Sequence, residues 1–186
     1  MLTDSLLNFV PPGGNLSMVG GAGISIVMAP GGVALDMLGA GVGVAPPSII
    51  GQSFGTFGAD LGIGVRKALL ECVVGTAFAT GNAATWNLAL QFAADQGAAG
   101  GYLPDTWYTA ISTGAQAVAL APAGARIARF DWAAVFPTTL RPRFARLIML
   151  FPAATNLSAG TIAHALLTLD RDDLSIQQAQ RNYSVS

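Results

Sequence analysis

Charge is scarce in this chain: only 10% of its residues are Asp, Glu, Lys or Arg, against roughly 25% in average soluble proteins. No Lys or Arg precedes Arg66, and the stretch before it is dominated by Gly, Pro and small apolar residues. That composition excludes an ordinary solvated surface for the first third, so something must cover it. The net charge of −1 gives no basic footprint with which to neutralise phosphates, which argues against direct DNA or RNA binding. One cysteine, Cys72, excludes an internal disulfide framework. One histidine, His164, with that single thiol excludes a Cys/His zinc cluster built from this chain alone, and it leaves a cupin-type metal site without ligands. No cofactor is expected. The N-terminus has neither a basic n-region nor a small-residue cleavage site after an apolar core, so no signal peptide is expected and synthesis is assigned to the cytoplasm. The uncharged run from Met37 to Ala59 has the length of a membrane span, but Gly39, Gly41, Gly43, Pro46, Pro47, Gly51, Gly55 and Gly58 break it, and no membrane span is expected.

What the chain does have is apolar residues: 52% of 186. That is more apolar surface than a small monomer can hide, which points to a subunit of an obligate assembly. The length suits one domain, or one domain plus an extended arm. From Arg66 the pattern takes on period two, the mark of strands with one buried face. Ala68, Leu70, Cys72 and Val74 alternate with Lys67, Leu69, Glu71 and Val73, and Trp86, Leu88, Leu90 and Phe92 alternate with Asn87, Ala89, Gln91 and Ala93. Further strands are predicted at 107–112, 116–120, 125–132, 143–151 and 161–169, and residues 75–85 read as a connection. Leu88–Ala99 is rich in Ala, yet spacing two fits it better than helical spacing. Inside the first third, Ile24–Met28 and Val33–Leu38 are short strands flanking the turn Pro30-Gly31-Gly32, a hairpin pattern. The division is therefore an arm over 1–64 and a β domain over 65–186. Many short antiparallel strands with Gly/Pro turns, about eight in number, predict an all-β jelly-roll sandwich.

The chemistry-bearing patterns each have a plainer reading. Gly51-Gln52-Ser53-Phe54-Gly55 matches the G-x-S-x-G nucleophile elbow, but no helix pattern follows it and a Gly-dense segment produces the match by chance. The only base available to Ser53 would be His164, which alternation places with Ile162 and Leu166 as a structural histidine. Asp170, Asp172 and Asp173 lie together, but they lack the turn glycine and the oxygen count of a calcium loop. Trp86, Trp107 and Trp132 suggest a sugar platform, against which Trp86 falls on the apolar face and the other two at strand ends. Arg126, Arg129, Arg141, Arg143 and Arg146 concentrate positive charge late in the chain. They fit either ion pairs to an acidic partner surface or ordinary edge and turn positions. No catalytic residue emerges, and the expectation is a protein that is not an enzyme.

A set of segments in order along the chain carries a resemblance: Met1-Leu2-Thr3-Asp4, Leu35-Asp36-Met37-Leu38-Gly39, Asp60-Leu61-Gly62-Ile63-Gly64, Thr76-Ala77-Phe78 with Ala83-Ala84-Thr85, Leu88-Ala89-Leu90-Gln91, Arg143-Phe144-Ala145-Arg146-Leu147, and Ala159-Gly160-Thr161-Ile162 leading to Leu169-Asp170-Arg171. Through them the chain resembles the capsid cement, or decoration, proteins of tailed bacteriophages, the family typified by the cement protein of a Bordetella phage. The resemblance implies a jelly-roll homo-oligomer on the outside of the phage head that bridges major capsid subunits and reinforces the shell against packaged DNA. A homodimer is the favoured assembly and a homotrimer the other. The alternative is another virion β protein, a tail or glycan-binding receptor component. This chain departs from the family in its longer Gly-rich segment between Gly13 and Gly58. The residues expected to contact other subunits or the capsid are Ile24, Ile26, Met28, Val33, Leu35, Ile49, Ile50, Phe54, Phe57, Arg141 and Arg143. Burial of each such aliphatic side chain is worth roughly 1.5–3 kcal/mol, against about 1–2 kcal/mol per residue for ordering an arm.

Overall fold

The computed structural model describes residues 8–20, 23–26, 34–36, 42–45, 68–131, 142–153 and 155–169. Thirteen strands run through them: β1 (Asn8–Val10), β2 (Leu16–Ser17), β3 (Ile24–Ile26), β4 (Leu35–Asp36), β5 (Ala68–Val74), β6 (Ala79–Thr80), β7 (Thr85–Ala93), β8 (Tyr108–Ser112), β9 (Gln116–Ala117), β10 (Arg126–Asp131), β11 (Phe144–Leu150), β12 (Leu157–Ala159) and β13 (Thr161–Leu169). Among the described residues, helix is confined to two single 3₁₀ turns, Ala98–Gly100 and Val118–Leu120. The period-two pattern explains why β7 forms: Trp86, Leu88, Leu90 and Phe92 are each at most 3% exposed and face one way. All seven strands expected after residue 65 are present. The one expected at 116–120 stops at Ala117, because Val118 turns inward and its carbonyl accepts from Ala121 N–H at 3.1 Å. Two short strands not expected, β6 and β12, pair with each other.

Every pairing among the described residues is antiparallel. One sheet holds β1 and β2 against β13, then β5, then β10, and the other holds β3 and β4 against β11, then β7, then β8 and β9. The paired short strands are two halves of one line. β1 meets Leu166 and Ala165 of β13 and β2 goes on to Ile162 and Thr161; β8 meets β7 from Phe92 to Ala89 and β9 goes on to Trp86 and Thr85. Counted as lines, and with the separate pair β6 and β12 set aside, the strands of the two sheets number eight. The first, eighth, third and sixth form one sheet and the second, seventh, fourth and fifth the other, an antiparallel sandwich.

Four strands of the first third, β1 to β4, are therefore woven into the sandwich. Ile24–Ile26 and Leu35–Asp36 do not make the expected hairpin. Both run the same way along β11, β3 on Met149 to Leu147 and β4 on Ala145 and Phe144, with only Arg146 between their partners. The reason lies in the sequence: each segment presents apolar side chains that the sandwich interior needs, and pairing both with the central strand β11 buries them, whereas a free hairpin would not. The core joins both sheets, with Phe9, Met18, Leu70, Cys72, Leu88, Leu90, Phe92, Leu147 and Met149 at 0% exposure. Burial, helped by the neighbouring Glu71 carboxylate, pushes the Cys72 thiol up to about 12.

The connection 75–84 interlocks with 151–160 at one end. Asn156 C=O accepts from Asn82 and Ala83 N–H at 3.2 and 3.0 Å, and Asn156 N–H donates to Asn82 Oδ1 at 2.7 Å. Gly160 sits in the same knot at φ +148°, where an added Cβ would lie 2.6 Å from the Phe78 ring. At the opposite end β4, β7 and β11 meet, and there the charged side chains gather.

Candidate functional site

Arg143, immediately before β11, forms the buried polar centre of that end. Its Nε and Nη2 donate to Asp36 Oδ1 and Oδ2 at 3.1 and 2.9 Å, a forked pairing, while Nη1 donates to Asp95 Oδ2 at 2.5 Å and Nη2 to Val44 C=O at 2.6 Å. Its N–H donates to Ala93 C=O at 3.0 Å. Side-chain exposure is 4% for Arg143 and 3% for Asp36, against 20% for Asp95. Burial opposes the charge, but the hydrogen bonds and negative charges of Asp36 and Asp95 outweigh it and hold the guanidinium above the ordinary arginine range. The group clamps the end of β4, the segment at Val44 and the residues after β7 onto one side chain. Its chemistry is structural.

Arg146 differs in kind. It stands on the outer face of β11, directly opposite Gln91 of β7, which stands opposite Thr109 of β8. Arg146 Nε donates to Gln91 Oε1 at 2.8 Å, and Gln91 Nε2 donates to Thr109 Oγ1 at 2.9 Å. The guanidinium carbon lies 4.1 Å from the centre of the Trp107 ring. Partial burial lowers its pKa. The remaining described arginines sit on β10. Arg126 Nε pairs with Glu71 Oε1 at 2.8 Å on the outer face of the other sheet, with half of its side chain exposed, and Arg129 is exposed beside it. The late arginines, grouped in the sequence, thus separate into three environments.

Of the residues expected to contact other subunits, Ile26 is 0% and Leu35 5% exposed, both inside this chain's own core, and Ile24 is half-buried against it. Arg143 is 4% exposed in the clamp just described. None of these four offers an open side chain, because β3 and β4 complete a sheet of the same subunit. Met28, Val33, Ile49, Ile50, Phe54, Phe57 and Arg141 lie outside the described residues. So do Ser53, Trp132 and Asp170 to Asp173.

His164 corrects the alternation. A register shift between Ile162 and His164 puts Ile162 opposite Val74 in the core and His164 opposite Val73 on the outer face. The sequence cannot signal such a bulge, since Thr161–Leu169 contains no glycine or proline to mark it. Trp86 is core, as its alternation predicts: its Nε1 donates to Ala117 C=O at 3.1 Å and its ring meets Phe78 edge-on at 6.1 Å. Trp107 lies under Arg146 outside the sheet, so these two rings share no platform. An open cleft of about 380 Å³ runs beside β10, lined by Trp86, Leu120, Ile127, Phe130 and the two β10 arginines among others. Among the described residues no three His, Cys, Asp or Glu side chains are grouped to hold a metal ion, and no helix is long and apolar enough to cross a membrane. No family model matches this chain, and no curated protein matches it.

Proposed function

We propose that this chain is a structural, non-enzymatic virion protein, a capsid cement or decoration subunit that binds the outside of the phage head and braces the shell against internal DNA pressure. The observation that carries this reading is the two-sheet antiparallel sandwich, which suits the jelly roll of the cement family that this chain's segments, in order, resemble. Composition supports it as well. A charge content of 10% suits a subunit whose outer surface is largely covered by neighbouring proteins. The partners are then the major capsid protein and further copies of the chain, with the homodimer favoured and the virion as its location. Because Ile26, Leu35 and Arg143 serve the chain's own interior, the contacts to the shell fall to outward-facing groups and to the apolar residues outside the described set. Each oligomer meets several equivalent sites on a shell, so modest contacts sum through effective concentration.

The test is reconstitution. Heads lacking the protein, incubated with the purified full chain, are expected to gain ordered density on their outer surface in cryo-electron micrographs and to survive heat and low salt better than bare heads. A monomeric chain that leaves bare heads undecorated and no more stable refutes the reading. Location on tails, or binding to host-surface glycans, would select the other virion class.

A further inference from the structure

We propose that the Arg146–Trp107 pair is a carboxylate-recognition site on the outer face of the second sheet, and that its occupant is an acidic side chain of a partner protein. The site is built before any ligand arrives. Thr109, Gln91 and Arg146 stand opposite one another across β8, β7 and β11, and the hydrogen bonds run in one direction along that row. Gln91 Nε2 donates to Thr109, which fixes the amide so that Oε1 faces Arg146; the reverse orientation would set two donors against each other. Gln91 therefore holds Arg146 Nε, and the Trp107 face holds the guanidinium plane at 4.1 Å. Two groups fix the fork, and the four N–H bonds on Nη1 and Nη2 have no protein acceptor among the described residues.

β3 ends opposite Leu147 and β4 begins opposite Ala145, so no residue of either strand stands opposite Arg146. Arg126 and Arg143 each have a carboxylate, from Glu71 and from Asp36 and Asp95, whereas Arg146 has none among the described residues. A partly buried, preorganised guanidinium fork matches a carboxylate in geometry as well as charge. Its half-burial strengthens the pairing above that of a freely solvated ion pair. A protein-borne carboxylate is favoured over a free one, since one charged fork gives a small ligand few contacts, while a docked surface supplies the remaining ones.

This inference rests on the proposed function only for the identity of the partner, and two measurements keep the two apart. In the first, the isotope-labelled full chain is titrated with sodium acetate at constant ionic strength while the Arg146 Nε–H and Trp107 Nε1–H resonances are followed by NMR. Saturating shifts that sodium chloride does not reproduce, and that vanish in Arg146→Gln, are expected; linear shifts equal to those with chloride overturn the site. In the second, binding to heads lacking the protein is measured for wild type, Arg146→Gln and Gln91→Glu. The glutamate supplies an internal carboxylate that occupies the fork while leaving the fold intact, which thermal unfolding checks. Each variant is expected to bind at least about tenfold more weakly, as for loss of one charge-assisted pair. Unchanged head binding beside saturating acetate shifts would mean a small free carboxylate and overturn the protein-borne occupant. A wild-type chain that binds no heads overturns the partner, while the acetate titration still judges the fork.

Discussion

Replacing Arg143 by methionine should destabilise this protein far more than loss of any surface arginine. The substitution keeps the aliphatic volume but leaves the Asp36 carboxylate, 3% exposed, without its guanidinium, and it removes the donor to Val44 C=O. Breaking a buried ion pair from one side costs about 3–5 kcal/mol, because the remaining charge stays desolvated. The Asp95 contact adds less, since that carboxylate is 20% exposed and water can take over its pairing. In a chain of this size each kcal/mol moves the midpoint by about 2–4 °C, so Arg143→Met should lower Tm by on the order of 6–20 °C. Circular dichroism melts and urea titration at neutral pH measure this directly. The double variant Arg143→Met with Asp36→Asn removes the stranded charge and should recover part of the loss, giving a coupling of at least about 1 kcal/mol in the cycle. A single variant that melts within about 2 °C of wild type, or two losses that merely add, would refute the clamp as described.

Deleting residues 1–20 removes Phe9, Val10 and Met18, each 0% exposed. At roughly 1.5–3 kcal/mol per side chain the loss rivals the whole stability of a typical domain, so the truncated chain should give an unfolded far-UV spectrum; a folded truncation would show that β1 and β2 are dispensable. Gly160→Ala forces a Cβ to 2.6 Å from Phe78 at a positive φ and should cost about 1–3 kcal/mol in urea unfolding, with an unchanged midpoint counting against it. Cys72 has its folded pKa raised from 9.0 to about 12. The unfolded thiol therefore loses its proton first, and its contribution to stability is complete below pH 9 and is lost as pH rises toward 12, at up to about 1.4 kcal/mol per pH unit. The difference between wild type and Cys72→Ala in urea titrations from pH 8 to 11 isolates this slope, and parallel curves would refute it.

How much of this was legible in the sequence depends on how local the cause is. β5 and β7 follow from alternation, and for Thr161–Leu169 the predicted limits are the observed ones. The sandwich class followed from strand number and turn residues. The fate of Ile24–Ile26 and Leu35–Asp36 did not, because a hairpin turn is a local signal whereas their pairing with β11 joins residues more than a hundred positions apart. The same distance hid the clamp. Asp36, Asp95 and Arg143 are unremarkable singly, and only the closing of the sandwich brings them together. Arg146 was visible as one of a late cluster, but its separation from Arg143 depends on strand phase: at position 143 the chain is still entering β11 from the end of the sandwich, and at 146 it points outward. Gln91 and Thr109 carried no signal at all, since neutral polar residues on the outer face of a strand are the ordinary expectation.

The shortage of charge and the shape of the sheet edges have one explanation. Exposed edge strands invite pairing with other chains, and proteins commonly block them with lysines. The single lysine of this chain, Lys67, leaves that route closed. Among the described residues, two edge lines are instead broken in the middle by turns. Pro11-Pro12-Gly13-Gly14-Asn15 separates β1 from β2, closed by Gly14 N–H to Pro11 C=O at 2.9 Å, and Thr113-Gly114-Ala115 separates β8 from β9. At the last break the displaced backbone is replaced by a side chain, with Thr113 Oγ1 accepting from Leu88 N–H at 3.0 Å. A broken line presents too few consecutive free backbone groups to template a partner strand. The edge line β10 is continuous apart from a register shift after Arg126, and it carries two arginines. Two of the few positive charges in this chain therefore stand where an edge backbone is unbroken, and restoring continuity elsewhere, by deleting Gly114 and Ala115 so that Thr113 runs directly into Gln116, should raise the tendency of the purified chain to aggregate, measured by light scattering, more than Arg126→Gln does.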